Sequence, residues 1–307
     1  MTQDRPSPTF NSALVTGATG FIGRRLCERL NACGIRPLAL IRTSTDRNRL
    51  AAVEAFADIR TIDADPEALA TALSSPAPEV TFHLAARYVA THEPHDIADL
   101  VSDNVGLTAS ICEAVTAAGC RNLIYAGTAW QNAGNDPGDP TPNPNTLYAA
   151  TKQAGDEIID YYARKRDLNS VTLKIYDSYG PGDTRRKFLT VLAETFTAGR
   201  TLEASPGDQR LHIVHVDDLV DGFVHAANLM VTGKLPGRHS HTLPSPDAIS
   251  LRELADTWMA ATGNDVDIAW GATAHRPGEV MVPWEGDPLP GWAPRILLRD
   301  GLRDLQV

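Results

Sequence analysis

The sequence predicts an α/β fold: a doubly wound parallel sheet (Rossmann-type) carrying a smaller, discontinuous α/β lobe. Three observations predict it. Over the first 175 residues, short apolar runs alternate with segments of helical periodicity. Those runs are apolar throughout, whereas a half-exposed strand alternates polar and apolar residues, so both faces of the sheet are covered. A glycine-rich turn, GATGFIG at residues 17–23, follows the first run and opens the first helical segment.

Each element has a local reason. Residues 12–17 (SALVTG) form the first strand, and residues 21–33 a helix stopped by Gly34, which suits the left-handed position after a helix end. Residues 37–42 (PLALIR) give the second strand, and residues 46–57 a helix with Asp46 as N-cap. Residues 59–62 are the third strand, followed by a helix from Pro66, a residue suited to the first helical turn. Strands at 80–84, 122–126 and 171–175 enclose helices at about 96–118 and 147–166. Residues 131–145 (QNAGNDPGDPTPNPN) have the composition of a loop. Beyond residue 175 the alternation fails. There GPGD at 180–183 is a turn, 185–198, 217–229, 251–262 and about 296–305 are helical, 211–215 is a short strand, and 264–282 is loop and edge strand.

Composition excludes several classes. With 43% apolar and 21% charged residues the chain is globular rather than disordered. A net charge of −10 disfavours nucleic-acid binding, which needs a basic face. No apolar run reaches about 18 residues, so no membrane span is expected. The first residues lack the apolar core of a signal peptide and read as a loose tail to about Phe10. Cys27, Cys33, Cys112 and Cys120 lack metal-ligand spacing; buried thiols in a reducing, cytoplasmic setting fit best, and no metal is expected.

In a strand–turn–helix context, Gly17, Gly20 and Gly23 give a tight turn and close backbone approach to a pyrophosphate, and the helix start offers free N–H groups. The spacing is G-x-x-G-x-x-G rather than G-x-G-x-x-G. Strand two ends in Arg42-Thr43-Ser44, where an NAD reader places Asp or Glu. Arg42 therefore points to NADP as cofactor, with NAD the second choice; a merely solvated surface arginine is the plain alternative. Tyr148 and Lys152 lie four apart on one helix face, after the loop that follows strand five. A tyrosine of pKa about 10 becomes a useful acid–base group if a lysine ammonium and a cationic nicotinamide lower it. Thr128, at the end of strand five, offers a hydroxyl to a substrate oxygen.

TGATGFIG at 16–23, His83-Leu84-Ala85-Ala86, Asn104, Thr128 and Tyr148-x-x-x-Lys152 resemble, in order, the extended short-chain dehydrogenase/reductase family of NAD-dependent epimerase/dehydratase type. KIYDSYGPGD at 174–183, HVDDL at 215–219 and RPGE at 276–279 extend the resemblance over nearly the whole chain. It implies Tyr148 as acid/base, Lys152 as its tuner and ribose ligand, and Thr128 as hydroxyl partner. Gly17, Thr19, Gly20, Phe21, Ile22, Gly23, Leu84, Ala85, Ala86 and Ile175 would line the cofactor, with Asp63 at the adenine. Arg87, Asn104, Asp177, Arg186, Lys187 and Arg276 would face the substrate. Residues 1–175 with about 214–235 would form the dinucleotide-binding domain, and about 176–213 and 236–307 the substrate lobe. Many members dimerise through the helices at 96–118 and 147–166, so a homodimer is expected.

Departures narrow the task. Ala129-Trp130 stands where dehydratases of this family carry Asp-Glu, so 4,6-dehydration is not expected. The segments YDSYGPGDTRRKF at 176–188 and SPGDQ at 205–209 are most similar to the CDP-abequose/paratose synthase branch, whose members reduce 4-keto sugar nucleotides. Asp177 replaces an Asn, and Leu211 fills the slot of a common pyrophosphate-binding Arg, with Arg210 one residue early; both disfavour phosphate, while Arg185, Arg186 and Lys187 could offset them. The expected activity is NADPH-dependent reduction of a nucleotide-linked 4-keto-6-deoxy sugar. The rivals are a nucleotide-sugar epimerase, a reductase of a small non-nucleotide carbonyl, and a catalytically silent dinucleotide sensor.

Overall fold

Seven parallel strands make the central sheet in the computed structural model, which describes residues 5–61, 66–73, 77–276 and 278–305. They are β1 (Ala13–Thr16), β2 (Leu38–Ile41), β3 (Asp58–Thr61), β4 (Val80–His83), β5 (Asn122–Thr128), β6 (Asn169–Ile175) and β11 (Arg238–Leu243). Their spatial order is β11-β6-β5-β4-β1-β2-β3. The chain starts at β1, winds outward to β3, then crosses to β4 and winds the other way. The strand order thus reverses beside β1, the place where a doubly wound sheet opens a crevice. The seventh strand corrects an expectation: residues 238–243, assigned to the substrate lobe, pair with β6 along their length. Their polar sequence, RHSHTL, gives no apolar strand signal, as suits a sheet edge.

Adjacent strand residues point to opposite faces, and both faces are buried. Val15, Ala39, Phe82 and Ile124 face one side, against α1 (Phe21–Ala32) and α8 (Val216–Val231) through Leu26, Leu30, Phe223 and Val224. Leu14, Leu40, Leu123 and Tyr125 face the other, against α3 (Pro66–Leu73), α5 (Leu107–Ala117) and α6 (Leu147–Lys165) through Leu69, Ile111, Val115 and Ile159. Each fully buried large apolar side chain contributes about 1.5–3 kcal/mol, more than the helix propensity of any one ordinary residue. Asp46 caps α2 (Arg47–Glu54), accepting from the N–H groups of Asn48 and Arg49 at 2.9 and 3.2 Å. The helix expected at 96–118 is α4 (Ile97–Val101) and α5 joined by a π-helical turn, Ser102–Gly106. Cys27, Cys112 and Cys120 are buried, and all four cysteines are unpaired.

The start of the chain is not loose from Arg5 onward. Phe10 is buried against Phe82 with ring centroids 5.9 Å apart, and Asn228 of α8 accepts from Thr9 N–H at 2.7 Å and donates to Ser7 O at 2.8 Å. A separate apolar cluster forms around Tyr179, Leu192, Ile213, Leu254, Trp258 and Leu302. It joins α7 (Phe188–Ala198), α9 (Leu251–Thr262) and α10 (Leu298–Arg303) to the paired strands β7 (Asp177–Tyr179) and β10 (Ile213–His215). Two further short pairs flank it: β8 (Leu202–Ala204) with β13 (Ile268–Trp270), and β9 (Arg210–Leu211) with β12 (Ile249–Ser250). Residues 131–145 are the expected loop after a 3-10 turn, Ala129–Gln131, and Asn132 and Trp284 bind its backbone at Pro140, Thr141 and Asp139.

Candidate active site

Because all seven strands are parallel, their carboxyl ends share one edge, and the residues that follow them meet there. Register aligns Thr16 with His83 and Leu40, and Thr128 with Ile175. The glycine turn after β1 is built for close approach. Gly17 has φ of +70°, and a Cβ there would lie 2.6 Å from Ala85 N; a Cβ on Gly23 would lie 2.1 Å from Gly17 O. Glycine is thus required at both places, at Gly17 by the chain after β4 and at Gly23 by the backbone of the turn itself. No side chain caps α1, and no acidic residue stands in its first turn, so its leading N–H groups face an anion without a rival. Leu84 and Ala85 lie half-buried and Ala86 exposed along this turn, and Thr19 is fixed through its carbonyl, which accepts from Arg49 at 3.2 Å. Phe21, beside partly buried Ile22, carries the Arg185 guanidinium 4.6 Å above its ring. Asp63 lies outside the described residues.

Thr128 ends β5 nearly buried, and its backbone N–H donates to Gln131 Oε1 at 2.9 Å. Gln131 is buried and donates to Gln153 of α6 at 2.8 Å, tying Thr128 to the helix that bears Tyr148. Thr146 caps that helix by accepting from Ala149 N–H at 3.1 Å, which sets Tyr148 in its first turn. Half-buried Ile175 closes the edge beside Thr128.

Two aromatic residues that the sequence reading did not assign to the site complete this corner. The Tyr88 ring meets Tyr148 edge-on at 5.0 Å and lies 6.1 Å from Trp130. Burial first, then Tyr88, raises the Tyr148 phenol above its ordinary value, with the Arg185 cation opposing. Burial and the Asp177 carboxylate raise Tyr88 in the same way, against Arg276 and Arg185.

The Lys152 side chain is 1% exposed, and its Nζ lies 3.9 Å over the Tyr125 ring with no hydrogen-bond partner among the described residues. Desolvation pulls its pKa down to about 7, although Asp156 one turn along opposes. In the dinucleotide-free protein burial disfavours the Lys152 charge, and the cation that opposes the rise of Tyr148 is Arg185. A buried, orphaned ammonium is costly, and a ligand hydroxyl would satisfy it. The two glycines without room for a Cβ, the uncapped start of α1 and the orphaned Lys152 Nζ together fit a dinucleotide laid across β1.

The expected substrate residues separate. Asn104 is fully buried and spends its side chain on structure: it accepts from Arg87 N–H at 2.8 Å and donates to Arg87 O at 3.0 Å and Thr151 at 2.9 Å. It therefore braces the chain after β4 against α6 and does not face a substrate. Arg87 turns to Asp99 and Asp103, at 3.0 and 3.1 Å, on the helix after β4. Arg186 is 69% exposed and pairs with Glu194 at 3.3 Å, a solvated helix start, so it too leaves the site. Arg185 takes the inward place, anchored by Asp183 at 2.6 Å and Ser178 at 3.0 Å. Asp177 is bound by Lys187 at 2.8 Å, so its carboxylate is neutralised within the protein. Arg276 is exposed, close enough for its charge to act on Tyr88. Arg42 extends from the end of β2 to Asp103, 3.0 Å away. Among the described residues no cluster of His, Cys, Asp and Glu could hold a metal ion, and no helix is long and apolar enough to cross a membrane.

A strand order reversing at a glycine turn, with Tyr148 and Lys152 on the helix after β5, defines an enzyme of the short-chain dehydrogenase/reductase class. A family model places it further: the chain belongs to the NAD dependent epimerase/dehydratase family, matched over residues 13–238. It is 29% identical to UDP-glucose 4-epimerase of Mycolicibacterium smegmatis, over 94% of this chain and 95% of that one. It is 26% identical to CDP-abequose synthase of Salmonella typhimurium, over 95% and 96% of the two chains. Among solved structures, MoeE5 in complex with UDP-glucuronic acid and NAD superposes with a TM-score of 0.79 at 25% identity, covering 95% of this chain and 96% of that one.

Proposed function

We propose that this enzyme reduces the keto group of a nucleotide-linked 4-keto-6-deoxy sugar, with NADPH as hydride source and Tyr148 as proton donor. The observation that carries the reading is the state of Tyr148. Burial and Tyr88 raise its pKa above that of an ordinary phenol, which further disfavours the phenolate in the dinucleotide-free site. A protonated phenol suits an enzyme that must give a proton to a carbonyl oxygen. An epimerase begins by oxidising an alcohol and needs a base at that position. Ala129 and Trp130 follow Thr128, so the acid–base pair of a dehydratase is missing there.

When bound, the dinucleotide supplies the hydride. Gly17, Gly20 and Gly23 admit its pyrophosphate, and Thr19, Phe21, Ile22, Leu84, Ala85, Ala86 and Ile175 line its path. Lys152 Nζ meets the nicotinamide ribose hydroxyls, and Arg42 the adenosine 2′-phosphate. Thr128 Oγ1 hydrogen-bonds the substrate oxygen, fixed by Gln131 behind it. Tyr148 Oη passes its proton to that oxygen as the carbonyl becomes an alcohol. Tyr88 and Trp130 offer apolar surface to the sugar ring. Arg185, Lys187 and Arg276 face the diphosphate, with Lys187 cancelling the Asp177 charge. The lobe around Tyr179, Leu192 and Trp258 carries the nucleotide side of the site. A homodimer through α4 and α6 accounts for exposed Ile97, Val101 and Tyr161, and light scattering measures it. Four unpaired thiols fit a reducing cytoplasm.

A second reading has a specific basis, the 29% identical UDP-glucose 4-epimerase. Incubating the enzyme with NADPH and a 4-keto-6-deoxy sugar nucleotide separates the two. Reduction consumes one NADPH per alcohol formed. Inversion at C4 of a sugar nucleotide without net NADPH use overturns the proposal in favour of epimerisation. Reduction confined to small ketones removes its nucleotide-sugar half, and dinucleotide binding with no turnover revives the silent sensor.

A further inference from the structure

Arg42 begins the segment after β2, and Asp103 lies in the π-helical turn of the helix that follows β4. In the sheet β2 and β4 flank β1 on opposite sides. The Arg42–Asp103 ion pair, 3.0 Å long, therefore spans the end of β1, directly across the glycine turn. Its two ends are unequally held. Arg42 is 63% exposed, whereas Asp103 is 19% exposed and is gripped a second time by Arg87 at 3.1 Å, itself bound to Asp99. The backbone of Arg87 is in turn fixed by buried Asn104. Asp103 is the anchored partner and Arg42 the one that can swing.

We infer that Asp103 is the internal competitor of an adenosine 2′-phosphate for Arg42, and that it sets how strongly the protein prefers NADP over NAD. The inference rests on the reading of Arg42 as the 2′-phosphate ligand. A phosphate that engages Arg42 competes with a carboxylate that already holds its Nη1 and offsets its charge. A ribose 2′-hydroxyl makes no such demand and leaves the pair intact. Asp103 thus weakens NADP binding and is neutral toward NAD, holding the preference below what Arg42 alone confers. The carboxylate also stays near the mouth of the site, where it opposes a dianionic phosphate through space.

The test is calorimetric titration of NADP+ and NAD+ into wild type, Arg42→Ala, Asp103→Asn and Asp103→Glu. Asp103→Asn should raise the ratio of NADP+ to NAD+ affinity on the order of fivefold, the scale of an exposed ion pair. Asp103→Glu, which keeps the charge, should return the ratio toward wild type, and Arg42→Ala should bring it toward parity. If Arg42→Ala lowers the ratio but Asp103→Asn leaves it unchanged or lowers it, the role of Asp103 is overturned while the reading of Arg42 stands. If Asp103→Asn weakens both dinucleotides equally, Asp103 is only a brace for Arg87, and the inference fails. If Arg42→Ala leaves the ratio unchanged, the reading of Arg42 itself is wrong.

Discussion

The two halves of the sheet edge recognise by different means. Around β1 the work falls to backbone: Gly17 and Gly23 leave no room for a side chain, and α1 presents bare N–H groups. Around β6 and β7 the proposed recognition falls to charged side chains that the protein already satisfies, Arg185 on Asp183 and Lys187 on Asp177. Backbone recognition tolerates almost no substitution and is selective for a shape shared by all dinucleotides. Side-chain recognition is adjustable, because each paired charge can be redirected by changing its partner. On the proposed reading, one edge combines a fixed cofactor seat with a tunable substrate seat.

That contrast can be broken at several points, the largest effect first. Tyr148→Phe removes the proton donor and should lower turnover roughly a hundred- to ten-thousandfold, with dinucleotide affinity retained in a calorimetric titration. Gly23→Ala drives a Cβ to 2.1 Å from Gly17 O, so denaturant unfolding should show a loss of about 2–3 kcal/mol together with weakened dinucleotide binding. Arg185→Met should raise KM for a sugar nucleotide about tenfold or more, since a hydrogen bond to a charged group contributes about 1.5–3 kcal/mol. Arg186→Met, on the solvated side, should leave KM within experimental error. Equal effects of the two substitutions would remove the inward assignment of Arg185.

The smallest effect is a pH dependence of stability. Lys152 has a folded pKa of about 7, below its ordinary 10.5. Between those values the unfolded chain binds the proton that the folded one excludes, so stability should rise with pH across that window. The slope is at most about 1.4 kcal/mol per pH unit, and below pH 7 this contribution is flat. Unfolding curves of the dinucleotide-free protein should show the rise, and Lys152→Met should abolish that part of it.

The strands β1, β2, β4, β5 and β6 were legible because both sheet faces are buried there, which leaves largely apolar runs, whereas β3, DIRT at the opposite edge, is mostly exposed and was placed by its position in the alternation. β11 was not legible: an edge strand of sequence RHSHTL pairs through its backbone and carries no apolar pattern. The glycine turn was legible for a related reason, since Gly17 and Gly23 are dictated by backbone contacts alone. On the substrate side, spacing showed which charges lie near the edge but not where each turns. Arg185 and Arg186 are neighbours in sequence, and only their partners, Asp183 and Glu194, separate an inward from an outward guanidinium. Asn104 looked like a ligand because a buried polar residue between two site motifs serves bracing and binding equally well in sequence. Tyr88 carried no motif, and Trp130 was read only as a departure from the Asp-Glu pair, although an aromatic residue two positions after a strand-end site residue such as Thr128 is a usable signal. Spacing placed Tyr148 and Lys152 on one helix face without showing that Lys152 is buried over Tyr125.

The central claim is that the fold holds Tyr148 as an acid. Its most direct test is an NMR titration of the dinucleotide-free enzyme labelled at the tyrosine ring carbon bearing the hydroxyl, with Tyr148→Phe to assign the signal. The account predicts that Tyr148 titrates above the ordinary tyrosine value of about 10. A Tyr148 signal that moves to the phenolate position below that value would contradict it and would favour the epimerase, which needs a base.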